Sequence, residues 1–310
     1  MALDSVVLNI GDLPTSFLFS QLGAPDELAR HYRNFLIESP KPEAVKKSEP
    51  RPLGSGPSDP ALRGPLANAH GTEFFHALSP LWHFQVSTAP EMVPPEGLTS
   101  HDVRIEFEGR ELKLFRADFE ANIDLATCHG TLRYTGLIPS FENFLRALYS
   151  VRLLGVEGLL VHACSIEYEG AAHLFAGTSG AGKSTIARLS GARILTDEIS
   201  VVRRDGDQFY LYGTPFWGEL RGGGELVRFP LRTVNFLHKD DATFAKSVGL
   251  AEGIRKLLRC TLFFSTHLEW RHQLLMIAEA ICALHRCQDL HFQQGKEFLR
   301  LLDAGQAIKN

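Results

Sequence analysis

The chain has 310 residues, with 32 Lys and Arg against 36 Asp and Glu, a formal net charge of −4, 44% apolar and 22% charged residues, and a pI near 6.4. This is the composition of an ordinary globular protein with material for one large or two smaller domains, and without a basic excess it argues against nucleic-acid binding as the main activity. Five cysteines without a C-x-x-C pair, no basic segment leading into an apolar one at the start, and no run of roughly 18 apolar residues point to a reducing cytoplasm, with no membrane span.

In chain order, PDELARHYRNFLIE reads as a helix within a short N-terminal segment, 1–38. Residues 39–69 carry seven prolines with Gly, Ser and mixed charge, and so predict a flexible linker or disordered insertion. A β-rich region, 70–139, follows. In VRIEFEGRELKLF, Val103, Ile105 and Phe107 alternate before a turn at Glu108 to Arg110, then Leu112 and Leu114, which predicts a hairpin. FEANIDL and GTLRYTGL extend the same antiparallel sheet. Ser140 stands as N-cap of a helix over FENFLRALYSVRLL, where Phe141, Phe144, Leu145 and Leu148 recur at helical spacing.

The last region, 140–310, holds the most informative segment, GLLVHACSIEYEGAAHLFAGTSGAGKSTIARL: two apolar strands around Gly170, a glycine-rich loop, then a helix. Beyond it, RILTDEISVVRR and QFYLYGTPF read as strands, and 243–260 and 268–286 as helices, the second with Leu274, Ile277, Ile281 and Leu284 on one face. No internal repeat is present.

Gly177, Thr178, Ser179, Gly180, Ala181, Gly182, Lys183 and Ser184 satisfy G-x-x-x-x-G-K-[ST] in full. In that pattern glycines let backbone N–H groups turn toward phosphate oxygens, the lysine reaches the β- and γ-phosphates, and the hydroxyl ligates Mg²⁺. A strand before it and a helix after it are the context the pattern requires, and a plain glycine turn explains neither Lys183 nor Ser184. Asp197 and Glu198 follow the apolar run RIL, where a strand beside the loop presents its last side chains; one acid can hold the metal and the other accept a hydroxyl proton. His162 lies 15 positions before Gly177 in LLVHACS. It can be a satisfied core histidine or a group that touches the transferred phosphoryl and tunes the acids. His70, His76 and His83 are scattered without ligand spacing.

Together, LLVHACSIEYEGAAHLFAGTSGAGKSTIARL and RILTDEISVV resemble the catalytic domain of HPr kinase/phosphorylase and the wider HPr-kinase-like group, whose phosphate-loop core is similar to that of ATP-dependent phosphoenolpyruvate carboxykinases. The likeness is specific from about Leu159 to Leu211, weaker toward the C-terminus, and says little of residues 1–100. It implies an α/β fold, an α+β mixed sheet of that P-loop type preceded by a β-rich region. It also implies that Gly177 to Thr185, Thr185 included, bind ATP phosphates, that Ser184 binds Mg²⁺, and that Asp197 is the base deprotonating an acceptor hydroxyl. Glu198 takes the place of a second aspartate near the metal, and His162 matches the family's active-site histidine. The family's oligomers carry over only as an implied homo-oligomer, since no heptad or exposed apolar stripe shows one.

Three departures qualify the likeness: Glu for Asp at 198, a shorter connection from Lys183 to Asp197, and no clear counterpart of the family's signature segment around a catalytic arginine. In ELRGGGELVRF, Arg221 stands in roughly that region, with an ordinary surface arginine in a mobile loop as the equal alternative. These departures favour a divergent kinase, whose acceptor is a serine or other hydroxyl on a peptide, protein or small molecule, over a regulator of sugar transport. The competing expectation is a regulatory or assembly module that binds ATP without transferring phosphate.

Overall fold

In the computed structural model, residues 5–20, 24–38, 81–93 and 102–303 are described; the proline-rich segment expected at 39–69 lies outside them. Seven strands form the first sheet: β1 (Ser5–Ile10), β2 (Leu13–Phe19), β3 (Trp82–Thr88), β4 (Arg104–Glu108), β5 (Glu111–Arg116), β6 (Phe119–Asp124) and β7 (His129–Tyr134). Their order is β1-β2-β3-β7-β6-β5-β4. The hairpin expected over VRIEFEGRELKLF is present as β4–β5, and FEANIDL and GTLRYTGL, expected to extend the same sheet, form the antiparallel pair β6–β7 beside it. The N-terminal segment does not stand apart from the β-rich region: β2 pairs parallel with β3, and β3 parallel with β7.

Period-two alternation puts one face of this sheet inside. Phe17, Phe84 and Phe119 meet helix α2 (Ile138–Arg152), α1 being Ala24–His31. Phe17–Phe141, Phe84–Phe144 and Phe119–Phe144 are edge-to-face pairs with ring centroids 5.0, 5.3 and 5.8 Å apart, an arrangement that adds aromatic attraction to area burial. The predicted N-cap is corrected: the helix starts at Ile138 with Pro139 in its first turn, and Ser140 lies within it, donating its hydroxyl to the Asp118 carbonyl at 2.5 Å. Proline fits a first turn because the N–H it lacks has no helical partner there. The helix expected over 25–38 is shorter, since after α1 a single 3-10 turn, Arg33–Phe35, buries Phe35.

The second sheet contains β8 (Gly158–Tyr168), β9 (Ala171–Ala176), β10 (Arg193–Thr196), β11 (Ile199–Asp205), β12 (Gln208–Tyr212), β13 (Arg228–Lys239), β14 (Phe244–Ser247) and β15 (Arg286–Phe292). Parallel and antiparallel pairs are mixed, giving the expected α/β class. Pairings return on themselves, β8 with β11, β11 with β12, β12 with β13, β13 with β9 and β9 with β8, so five strands form a closed circuit. Among the described residues the further α-helices are α3 (Lys183–Ser190), α4 (Leu250–Cys260), α5 (Leu268–Leu284) and α6 (Leu299–Asp303). The helix expected over 243–260 begins only at Leu250: Phe244–Ser247 pairs antiparallel with β15, and Gly249 precedes the helix as its N-cap. A long-range partner here overrides local propensity.

One apolar core runs through both sheets, from Phe17 and Phe84 to Val201 and Val234. At the junction, Gly11 has φ +62°, a Cβ there would stand 2.9 Å from Val201 Cγ1, and its carbonyl accepts from Arg203 Nη1 at 2.7 Å. A smaller cluster, with Ile166, Phe175, Ile186, Leu290 and Phe292, lies under α3 and α6.

Candidate active site

Strand β8 supports every element of the site. One edge pairs with β9, Ala163 opposite Ala176, and β9 runs directly into Gly177. Its other edge pairs with β10 and then β11, Ser165 opposite Thr196 and His162 opposite Ile199. Asp197 and Glu198 occupy the gap between those two pairs. The structure therefore brings the loop, both acids and His162 to the middle of one strand, although 36 residues separate His162 from Glu198.

Gly180 and Gly182, at φ +77° and +102°, turn the loop over the start of α3. A side chain at Gly182 has no room, since its Cβ would lie 2.6 Å from the Phe292 ring. Lys183 is 8% exposed, and its ammonium donates to the carbonyls of Gly177 at 3.0 Å and Thr178 at 3.2 Å. Burial holds its pKa below the ordinary lysine value, opposed by Cys164, Cys260 and Glu198. Ser184 and Thr185, both half-buried, occupy the next two positions of α3; Thr178, Ser179 and Gly180 are exposed.

Asp197 is 2% exposed, and each of its carboxylate oxygens accepts a backbone N–H, from Gly218 at 2.8 Å and Leu220 at 2.9 Å. That segment is tied down on both sides of the acids: Thr196 donates to the Phe216 carbonyl at 2.7 Å and Thr214 to that of Ile199 at 2.7 Å. The Glu198 side chain, 30% exposed, accepts from Arg146 Nη2 at 3.1 Å. The same nitrogen meets Glu142, while Arg146 Nε is buried without a partner among the described residues and the guanidinium carbon lies 5.9 Å from the Phe216 ring centroid. Burial raises the Glu142 pKa, with Arg146 opposing it. His162 is half-buried, and its pKa lies below the ordinary histidine value through burial, then Lys183; Glu198 pulls it upward and Arg146 adds to the lowering. Its imidazole is therefore neutral at pH 7.

Sequence reasoning missed Arg146 and the backbone clamp on Asp197. Glu142 and Arg146 stand at helical i, i+4 spacing, which signals a pair on one helix face but not the reach to Glu198. Arg221, at φ +48°, is exposed one residue past Leu220, and Gly222 beside it lies under the Trp217 ring. The N-terminal segment also reaches this loop: Asn34 Nδ2 donates to the Gly224 carbonyl at 2.8 Å, and a Cβ at Gly224 would be 2.8 Å from the Phe35 ring.

The donor set suits Mg²⁺ with a triphosphate. Ser184, the half-exposed Glu198 carboxylate and Asp197 are hard oxygen donors. Among the described residues no group of three or more His, Cys, Asp or Glu could hold a metal ion. Among the described residues no helix is long and apolar enough to cross a membrane.

No family model matches the chain, and no curated protein matches it. Among solved structures, the HPr(Ser) kinase/phosphatase from Coxiella burnetii aligns with 10% identity and a TM-score of 0.24, over 46% of this chain and 91% of that one. At that TM-score the likeness decides neither fold family nor activity.

Proposed function

We propose that the chain is an ATP- and Mg²⁺-dependent phosphotransferase of HPr-kinase type, which passes the γ-phosphoryl group to a serine or other hydroxyl of a peptide, protein or small molecule. The observation that carries this reading is the placement on the two edges of β8 of a full phosphate-loop sequence, with Lys183 buried at its base, and of the Asp197–Glu198 pair beside His162. A protein that only holds nucleotide needs Glu198 for the metal, but neither a base such as Asp197 nor His162.

In this mechanism Gly177 to Thr185 bind the phosphate chain through backbone N–H groups, and Lys183 exchanges the Gly177 and Thr178 carbonyls for β- and γ-phosphate oxygens. Ser184 and Glu198 would hold Mg²⁺, which would supply charge neutralisation to the phosphate chain. Arg146 holds the Glu198 carboxylate in place. Asp197 takes the acceptor proton on a lone pair that Gly218 and Leu220 leave open, and the same two bonds fix its direction. Neutral His162 offers a ring nitrogen to the transferred group without adding positive charge. Positioning and charge stabilisation supply most of the rate.

The near-complete burial of Asp197 favours a second reading, an ATP-binding regulatory module that transfers nothing. Incubation of the chain with γ-labelled ATP, Mg²⁺ and hydroxyl-bearing peptides or small molecules separates the two. Label transfer is expected, lost in Lys183→Ala together with nucleotide binding, and lost in Asp197→Asn with ATP affinity retained. Full transfer by Asp197→Asn removes the base assignment; binding without transfer to any acceptor supports the module.

A further inference from the structure

The C-terminal ends of the parallel strands β9, β13 and β15 flank the phosphate loop, and two of them touch it. A Cβ on Gly177 would lie 3.5 Å from Leu237 Cβ, and one on Gly182 2.6 Å from Phe292. Leu237 and Phe292 face the core under α3. The residues beside them, His238 and His291, face the other way, are paired across β13 and β15, and stack with centroids 4.8 Å apart at 15°. Phe244 on β14, paired with His291, continues the row at 4.3 Å and 10°. Three rings thus stand in parallel at the spacing of adjacent strands.

Carboxylates lock the two imidazoles edge-on. His238 Nε2 lies 3.1 Å from Asp289 Oδ1, His291 Nδ1 2.8 Å from Asp240 Oδ2, and Lys256 fixes Asp289 with bonds of 2.5 and 2.7 Å. The ends of the row differ. Lys246 covers Phe244 at 5.1 Å from its centroid, and the middle side chain, His291, is 19% exposed. His238, the last ring, is 43% exposed. Beyond it the next strand is β9, whose last pair is Ala176 opposite Phe236; the loop leaves β9 from there, with Gly177 against Leu237, the residue before His238. The row therefore ends on a partly exposed ring, at the carboxyl ends of the parallel strands β9, β13 and β15, where the loop leaves the sheet.

We propose that His238, backed by His291 and Phe244, is the stacking platform for the base of a nucleotide whose phosphates lie in the Gly177–Thr185 loop. The proposal rests on the nucleotide reading of that loop. A flat heteroaromatic base supplies the fourth ring of the stack, and stacking of this kind accepts any base.

The test compares binding of ATP and of inorganic tripolyphosphate, each with Mg²⁺, to the full chain by calorimetry. Tripolyphosphate carries the phosphates and lacks the base. His238→Ala is expected to weaken ATP about tenfold, the scale of losing one base–aromatic stack, and to leave tripolyphosphate unchanged; His238→Phe, which keeps a ring, restores ATP binding. Equal ATP affinity in wild type and His238→Ala, equal loss of both ligands, or no rescue by phenylalanine overturns the platform. Loss of both ligands in Lys183→Ala keeps the nucleotide reading standing in each of those cases, whereas a wild-type chain that binds neither ligand overturns both.

Discussion

Arg146 is the residue that joins helix α2 to the candidate site, since one guanidinium nitrogen serves Glu142 and Glu198 together. Without it, two carboxylates share a partly buried setting with no cation between them, where like charges repel. Arg146→Ala is therefore expected to raise the Mg²⁺ concentration needed for half-maximal phosphotransfer and to lower the rate at least tenfold. Arg146→Lys, which keeps the charge on a shorter side chain without the planar guanidinium over Phe216, is expected to recover only part of both. A metal titration of the initial rate measures this, and an unchanged Mg²⁺ requirement in Arg146→Ala removes Arg146 from the positioning of Glu198. The motif around Lys183 was legible from eight consecutive residues because a glycine-rich loop of this pattern is a local device. Arg146 was not, because its partner lies 52 positions away and only the packing of α2 beside β8 makes the contact.

At the scale of elements, α2 shows what periodicity reveals and what it hides. The apolar spacing of Phe141, Phe144, Leu145 and Leu148 announced a buried face, and all four are buried. The same helix ends on a fully buried cation. Arg152 donates to Thr15 Oγ1 at 2.6 Å and to the Pro14 carbonyl at 3.2 Å, and its guanidinium carbon stands 4.8 Å from the Trp82 ring centroid. Tyr149 completes the arrangement by donating to the Leu13 carbonyl at 2.7 Å. Burial lowers the Arg152 pKa to about 10, so the side chain is still charged at pH 7. It ties the end of the helix to β2 and β3. Arg152→Ala leaves acceptors without a donor and a void, an expected loss of about 3 kcal/mol in urea unfolding. Arg152→Met refills volume without restoring hydrogen bonds and is expected to lose about half as much. Equal losses would show that the hydrogen bonds alone carry the effect.

For the whole molecule, His285 couples stability to pH. It sits between α5 and β15 with its ring edge-on to Phe209 at 5.8 Å, and burial lowers its pKa to about 4, only partly offset by the Leu231 backbone. Unfolded, the same imidazole titrates near 6.5. Between those values the unfolded chain holds a proton that the native chain does not, so this contribution is complete above about pH 6.5 and is lost as pH falls toward 4. From pH 7.5 to 5 the loss is up to about 2 kcal/mol, reduced by whatever solvent screening reaches the ring. Urea midpoints at the two pH values are expected to converge in His285→Gln, and an unaltered pH slope in that variant removes His285 as the source.

The sequence by itself determined the local devices: the G-x-x-x-x-G-K-S loop between a strand and a helix, the hairpin from Val103 to Phe115, the apolar face of α2 and the acid pair after a short strand. Each is written in residues close enough along the chain for turn chemistry or side-chain period to act. The tertiary structure decided the rest. Strand β2 finds a parallel partner in β3 across more than sixty residues, 244–247 becomes a strand because β15 offers it an edge, and Arg146 meets Glu198. The ring row of Phe244, His291 and His238 exists only through the registers of three strands. Pairing between distant strands depends on the free energy of the whole core, and no window of sequence contains it.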